Sequence, residues 1–368
     1  MNINLNKRGI FSGEALVFLV IILGLACFAN RCDKEETEYL LEQAPGQFSL
    51  LAKRVPFKLV LADPDLDPEV RETLEFVLDV KQYGVEEIGL SDNNNYEVYV
   101  DLKREAVCWN LTACPELSVG PVQWDFPVVG KVPYLGFFNK EDAMQKAAEL
   151  RAEGNDVYVR RVSAYSMLGI VSDPFYSSLL DARKAYLANL ILHEMLHSTV
   201  FIKGEMEFNE NLALFVGNQG SEEYLAERFG PDSEEARYAA GSGHDDKVFS
   251  KEIMKLYNEL DSMYKSGLTE KAKLSRKKEI IRAHKARFRE DVLPEMKTDR
   301  YRRWPEKDLN NAVIVSRVVY YHDLSLYKCL YEAMDSDLKA VVEFFKEVGE
   351  RKDVDPEKYA REWLEGRQ

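Results

Sequence analysis

The chain has 368 residues, 46% of them hydrophobic and 11% aromatic, enough apolar material for one large core or two ordinary ones. It carries 49 basic and 63 acidic residues, a formal net charge of −14, and no extended basic stretch is free of acidic residues; this argues against nucleic acid as a partner. Five cysteines, Cys27 and Cys32 among them near the start, are too few and too scattered for a disulfide-built scaffold.

At the N-terminus, Lys7 and Arg8 precede the uncharged run "ALVFLVIILGLACFA" (15–29), which has the length of a signal-peptide core and is short for a membrane-spanning helix. Export is therefore expected. "GLAC" resembles a bacterial lipoprotein cleavage box with Cys27 as the residue to be lipidated, although Gly24 stands where such boxes usually carry leucine. Cleavage after Ala29 and retention as a tilted anchor stay open beside it. Residues 1–32 are read as a signal peptide or membrane anchor, which places the remainder at the cell envelope, facing the periplasm or the exterior.

Next, "EYLLEQAPGQFSLLAKR" predicts a short helix broken at Pro45-Gly46, and "DPEVRETLEFVLDVKQYGV" an amphipathic helix with proline in its first turn. The period then changes. "NYEVYVDL", "AVCWNLTAC" and "VQWDFPVVGKVPYLGFF" are strand-like, with prolines that confine the last to edges or turns, and together they predict a small mixed or antiparallel sheet. Cys108 and Cys114 are close enough in sequence to pair, or to be two buried thiols. "KEDAMQKAAELRAEG" is a helix ended by Gly154, and "DVYVRRVSAYSMLG" is a strand closing before the turn "SDP". From about residue 245 two long, charged, solvated helices are expected, and from "DLNNAVIVSRVVYYHDL" onward a tail that packs on the core. There is no internal repeat, low-complexity tract or glycine-rich phosphate loop.

The chemistry concentrates in "ILHEMLHSTVFIKGEMEFNENLALF" (191–215). His193 and His197 stand four apart, one above the other on a helix face, as two ligands of a single tetrahedral zinc require. Tyr186, Leu190 and Phe201 lie on the same stripe, which is therefore expected to point inward. Glu194 completes H-E-x-x-H, where the glutamate takes a proton from the water that a metal activates. A third ligand is needed, and Glu205, Glu207 and Glu210 are at hand. If the helix runs one further turn and reverses at Gly204, a second helix starting near Phe208 brings Glu210 back to the level of His197, while Glu205 and Glu207 face water. The chain is thus read as 33–160, an N-terminal α/β region; 161–240, a zinc-binding catalytic core; and 241–368, a helical region packed on that core.

"HEMLHSTVFIKGEMEFNENLALFVGNQG" is similar to the signature of a bacterial family of predicted zinc aminopeptidases, in which the metal helix is followed by an F-N-E motif. "VSAYSMLGIVSDPFYSS" resembles its A-Y-S-T-L-G and D-P-x-x-S block, and "YLLEQAPGQFSLL", "VQWDFPVVGKVPYLGFF" and "NNAVIVSRVVYYHDL" have counterparts in it too. The resemblance implies an α+β fold with a zincin-like metallopeptidase core, His193, His197 and Glu210 as zinc ligands, Glu194 as catalytic base, and a peptide substrate. Asp125 and Lys131 replace that family's usual cysteine pair. Enzymes of this type take an oxyanion donor from the region beyond the metal helices; Tyr320, Tyr321, His322 and His244 are the candidates, led by Tyr321 and His322 in the family-like block. They also lay an extended substrate along a strand upstream of the metal helix, here the strand beginning at "VYVRRV". Exopeptidase and endopeptidase are not separated at this level, and a membrane-anchored scaffold that keeps the fold without catalysis is the alternative.

Overall fold

The computed structural model describes residues 34–126, 130–163, 172–318, 323–351 and 354–367. The apolar run at 15–29 lies outside them, and no helix among the described residues is long and apolar enough to cross a membrane. The architecture is α+β. Helix α1 (Lys34–Ala52) continues through Pro45, where the sequence predicts a break. One face of it clasps a strand: the Tyr39 hydroxyl accepts from the Gly136 N–H at 3.0 Å, Gln43 accepts from the Phe138 N–H at 3.0 Å, and Gly46 lies against the Phe138 ring. These contacts outweigh the one helical bond that Pro45 removes, and exposed Leu41, whose carbonyl loses that donor, has water within reach.

There follow β1 (Arg54–Pro56), α2 (Phe57–Leu61) and α3 (Pro68–Glu86), the last capped by Asp67 as predicted. Then come β2 (Val98–Val100), β3 (Cys108–Pro115), β4 (Trp124–Phe126), β5 (Gly130–Val132), β6 (Leu135–Phe137), α4 (Lys140–Ala152), β7 (Asn155–Val162) and β8 (Phe175–Tyr176). The expected single sheet is in fact three small ones among the described residues: a mixed β1-β2-β8, an antiparallel β6-β3-β7, and a β4-β5 ribbon. Pro56 and Pro115 end their strands and Pro133 separates β5 from β6, where a missing N–H removes no ladder bond but pairing stops. Cys108 and Cys114 occupy one extended strand, about 20 Å apart, so they cannot bridge each other. Both are free and buried, and burial pushes their thiols up to about 11 and about 12. Asp125 and Lys131, standing where the resembled family has cysteines, face each other in register across β4 and β5.

The remaining helices are α5 (Lys184–His197), α6 (Met206–Phe229), α7 (Glu234–Tyr264), α8 (Glu270–Arg287), α9 (Asn311–Val318), α10 (Ser325–Ala333), α11 (Leu338–Gly349) and α12 (Pro356–Glu365). The charged helices begin earlier than residue 245, because the Ser233 side chain caps α7 by accepting from the Ala236 N–H at 3.2 Å. Helices α3, α5, α6 and α10 to α12 bury one apolar cluster with the mixed sheet, through residues such as Leu74, Leu192, Met195, Leu212, Tyr327 and Phe345. Helix α4 covers the antiparallel sheet with Ala143, Ala147 and Leu150. Helices α7, α8 and α9 share a further cluster that reaches the sheet at Cys114.

Within that helical cluster His284 is buried, and its Nε2 accepts from the Trp304 indole at 3.0 Å, a bond that only the neutral ring can accept. Burial first, then the charge of Arg287, holds its pKa down at about 4. The unfolded chain takes up that proton near 6.5, so between pH 6.5 and pH 4 the unfolded state holds more protons and stability falls as the pH is lowered. From this residue the unfolding free energy is expected to drop by about 3 kcal/mol between pH 7 and pH 4. Urea melts at the two pH values check it, since His284→Gln should flatten the drop relative to the parent chain.

Candidate metal centre

Two stripes of α5 compete for the core. The one that wins carries Ala188, Ile191, Leu192, Met195 and Leu196, all buried, because it has no polar head to satisfy. The histidine stripe, expected to point inward, is instead the open one: Tyr186 and Phe201 are 41% and 64% exposed, and His193 and His197 only partly buried. The helix also stops at His197, a turn earlier than predicted, with Ser198 as cap and the Thr199 and Val200 amides turned back to the Leu196 carbonyl at 2.7 and 2.8 Å. Gly204 makes the reversal with a φ of +94°, and α6 starts at Met206.

Buried Asn209 holds this short connection in place. Its side chain accepts from the Ile202 N–H at 2.9 Å and donates to the Ile202 carbonyl at 2.8 Å, clamping the loop that joins the two helices to the residue beside Glu210. About two turns further on, Gly217 lets the helices touch: a Cβ there would lie 3.0 Å from the Asn189 carbonyl oxygen and 3.2 Å from the His193 Cβ. Clamp and close approach together set the register in which Glu210 meets the histidines.

The three side chains converge as expected. His193 and His197 bring their Nε2 atoms to 3.1 Å, and Glu210 reaches them with one oxygen each, at 3.8 and 3.5 Å. Two atoms bound about 2.0–2.1 Å from one tetrahedral centre lie about 3.3 Å apart, so these separations match a single shared cation. Among the described residues this is the one group of histidine, cysteine and carboxylate side chains with such convergence. Burial lowers the pKa of His197, opposed by the negative charge of Glu210, and a neutral imidazole is the form that can bind a metal. Burial, then the charges of Asp173 and Glu210, pushes the Glu194 carboxyl up to about 7.

Other expected residues fall elsewhere. Glu205 and Glu207 are exposed and line a shallow hollow with Asp355, Glu357 and Arg361. His244 is exposed on α7, its Nε2 3.2 Å from the Glu295 carbonyl oxygen. Tyr320, Tyr321 and His322 lie outside the described residues, as do residues 164–171 of the upstream strand. Its described part, β7, pairs with β3 on one side, and among the described residues no strand pairs with its other side.

A family model described as "Putative aminopeptidase" matches residues 38–361. The chain belongs to that family. Searches of curated proteins and of solved structures each gave no match. The match runs from within α1 to within α12 of this aminopeptidase-family chain and includes both helices of the centre, with two parts that spacing alone did not single out. One is the Asn209 clamp, whose trace in the sequence is the middle position of the F-N-E motif. The other is a loop preceding β2. Its Ser91 N–H bonds the Thr199 hydroxyl at 2.8 Å and its Asn95 amide reaches the Ser198 hydroxyl at 3.4 Å, so it is tied to the end of the histidine helix. Asn95 also accepts from the Asp173 N–H at 2.9 Å, and the Tyr96 N–H donates to the Asp173 carbonyl at 2.7 Å.

Proposed function

We propose that the chain is a zinc-dependent metallopeptidase of the cell envelope with a zincin-like core. The observation that carries this is the mutual spacing of His193, His197 and Glu210 beside a carboxyl, Glu194, whose proton affinity lies near neutrality. The donor set of two imidazoles and one carboxylate leaves a fourth tetrahedral position for water or substrate, the catalytic rather than the closed structural pattern. Zinc held there supplies carbonyl polarisation and acidifies a water molecule.

The rest is done by the chain. Glu194 accepts the proton of the attacking water and returns it to the leaving amine, a double duty suited to a group that exchanges protons near pH 7. His193 and His197 stay neutral as ligands. The side of β7 that no described strand pairs with is the one that would align an extended peptide by main-chain hydrogen bonds. Tyr321 and His322 remain the proposed oxyanion donors. Asn209 maintains the register of Glu210 from outside the ligand set, and Asn209→Ala is expected to weaken zinc binding by about 10- to 100-fold, read by competition with a chromophoric chelator. The apolar N-terminal run supports a location at the envelope, as lipoprotein or anchored protein.

Metal analysis of the purified chain together with turnover of a broad peptide library tests the reading. Bound zinc with turnover supports it. Bound zinc without turnover on any peptide favours a membrane-anchored scaffold that keeps the fold, and absence of zinc binding sinks the metal assignment.

A further inference from the structure

The turn of α6 that carries Glu210 reads Asn209-Glu210-Asn211, and both asparagines are buried, 3% and 4% exposed. Asparagine is a weak helix former and costly to bury, so two of them flanking a ligand are not explained by the stability of α6. Successive residues of a helix are turned by about 100°, which sends the three side chains in three directions. Asn209 meets the Ile202 backbone, Glu210 the two histidines, and Asn211 the carboxylate of Glu357, to whose Oε1 its amide donates at 3.4 Å. The same oxygen accepts from the Tyr327 hydroxyl at 2.9 Å, and Asn211 and Tyr327 are hydrogen-bonded to each other as well. Three elements meet in this triangle: α6, α10 and α12.

Its other two corners are held by their own surroundings. Tyr327 is fully buried, its ring against Phe208 and Phe215 of α6 and Phe345 of α11 at centroid separations of 6.3, 6.0 and 5.8 Å. Burial first, then the charge of Glu357, drives the pKa of the phenol up, so it stays protonated and donating. Glu357 sits in the first turn of α12, whose start is set by Pro356 and by the Asp355 side chain accepting from the Lys358 N–H at 2.9 Å. Its Oε2 meets Arg361 at 3.5 Å, which leaves Oε1 to the two donors. The 3.4 Å bond is weak alone, but one oxygen shared by two hydrogen-bonded donors fixes the amide of Asn211 more firmly than a single contact does.

We infer that Glu357 is a positioning residue of the metal centre, holding Asn211 and through it the Glu210 turn at the level of His193 and His197. The inference rests on the metal-centre reading and deepens it, because it makes the C-terminal helix part of what fixes the ligand set. The part asked of Glu357 is that of an acceptor and not of a charge. An amide oxygen in the same place accepts both bonds, which separates positioning from an electrostatic pull on the metal.

Zinc affinity, read by competition with a chromophoric chelator, is expected to fall about tenfold or more in Glu357→Ala and to stay within about twofold of the parent in Glu357→Gln. The visible spectrum of the cobalt-loaded chain, which reports the geometry of the ligand set, should change in the first variant and not in the second. Affinity and spectrum that match the parent in Glu357→Ala, with only the metal-free chain melting earlier, mean a structural role and overturn the proposal. A loss in Glu357→Gln as large as in Glu357→Ala means a charge effect and overturns it too. Asn211→Ala combined with Glu357→Ala should be no worse than the poorer single variant, since both cut one link; additive losses overturn the route through Asn211. Should Glu357→Ala not fold, Tyr327→Phe keeps the packed ring and removes one corner, and unchanged affinity there overturns the proposal. A parent chain that binds no zinc sinks the metal reading and this role with it. Zinc affinity that responds as expected without any peptide turnover upholds the role and counts against the peptidase alone.

Discussion

Glu194→Gln is expected to lower peptide turnover by about 10²- to 10⁴-fold, while the chain still binds about one zinc ion. The substitution keeps the shape of the side chain and removes its capacity to carry a proton, so only the transfer step is lost. Glu194 is not among the three converging ligand groups, and its carboxyl is pushed up to about 7 by burial and by the charges of Asp173 and Glu210. His197→Ala separates the two roles. Removing it takes away one of three donor atoms that lie within 4.8 Å of one another, and zinc and turnover are expected to disappear together. Metal analysis and kinetics on the same preparations check both variants. Equal turnover in Glu194→Gln and the parent chain would refute the assignment of Glu194 as base, and retention of zinc in His197→Ala would refute the ligand set.

The largest effect on stability is expected far from the metal, in Lys277→Met, at about 3–5 kcal/mol of destabilisation. The Lys277 ammonium on α8 donates to Asp156 of β7 at 2.5 Å and to the Glu116 carbonyl at 3.0 Å. Asp156 also accepts the Asn311 N–H at 2.7 Å, and the Asn311 amide donates to the carbonyls of Pro115, Glu116 and Ser118 at 3.0, 3.1 and 2.8 Å. The side chains of the ion pair are 9% and 12% exposed, so solvent screening is small. With Lys277 gone, the Asp156 carboxyl group is left without its partner in a largely desolvated place, and that loss of compensation, more than the lost attraction, sets the size of the effect. The pair also joins the helical cluster of α7 to α9 to the antiparallel sheet. Denaturant melts of the single variant and of Lys277→Met with Asp156→Leu provide the check: the double variant, which leaves no unpaired charge, is expected to recover part of the loss. If the single variant melts like the parent, the network contributes nothing.

Much of the fold was legible because its signals are local. The Asp67-Pro68 start of α3, the Gly154 stop after α4 and the strand formers along β3 each depend on a few consecutive residues. Pro45 misled for the same reason. Its local cost is real, but Tyr39 and Gln43 grip β6, nearly a hundred residues away, and hold the helix together across it. The histidine stripe of α5 misled because periodicity reports that a helix has apolar faces and not which of two such faces is covered. Only the packing of α3 and α6 against Leu192 and Met195 decides that, and it leaves the imidazoles facing Glu210.

By itself, the sequence determined the chemistry on offer. The four-residue spacing places His193 and His197 one turn apart on a helix, with Glu194 adjacent, because an α-helix repeats every 3.6 residues wherever it occurs. The return of Glu210 was an inference about two helices and a loop, and only the tertiary structure, through the Asn209 clamp, the Gly204 reversal and the close approach at Gly217, decided that it meets them. The loop before β2 belongs wholly to the tertiary level: no local pattern announces that Ser91 and Asn95 are tied to Thr199 and Ser198 at the end of α5, about a hundred residues away. Side-chain identity and helical period are properties of the chain; the direction from which a second carboxylate approaches is a property of how its loops are held.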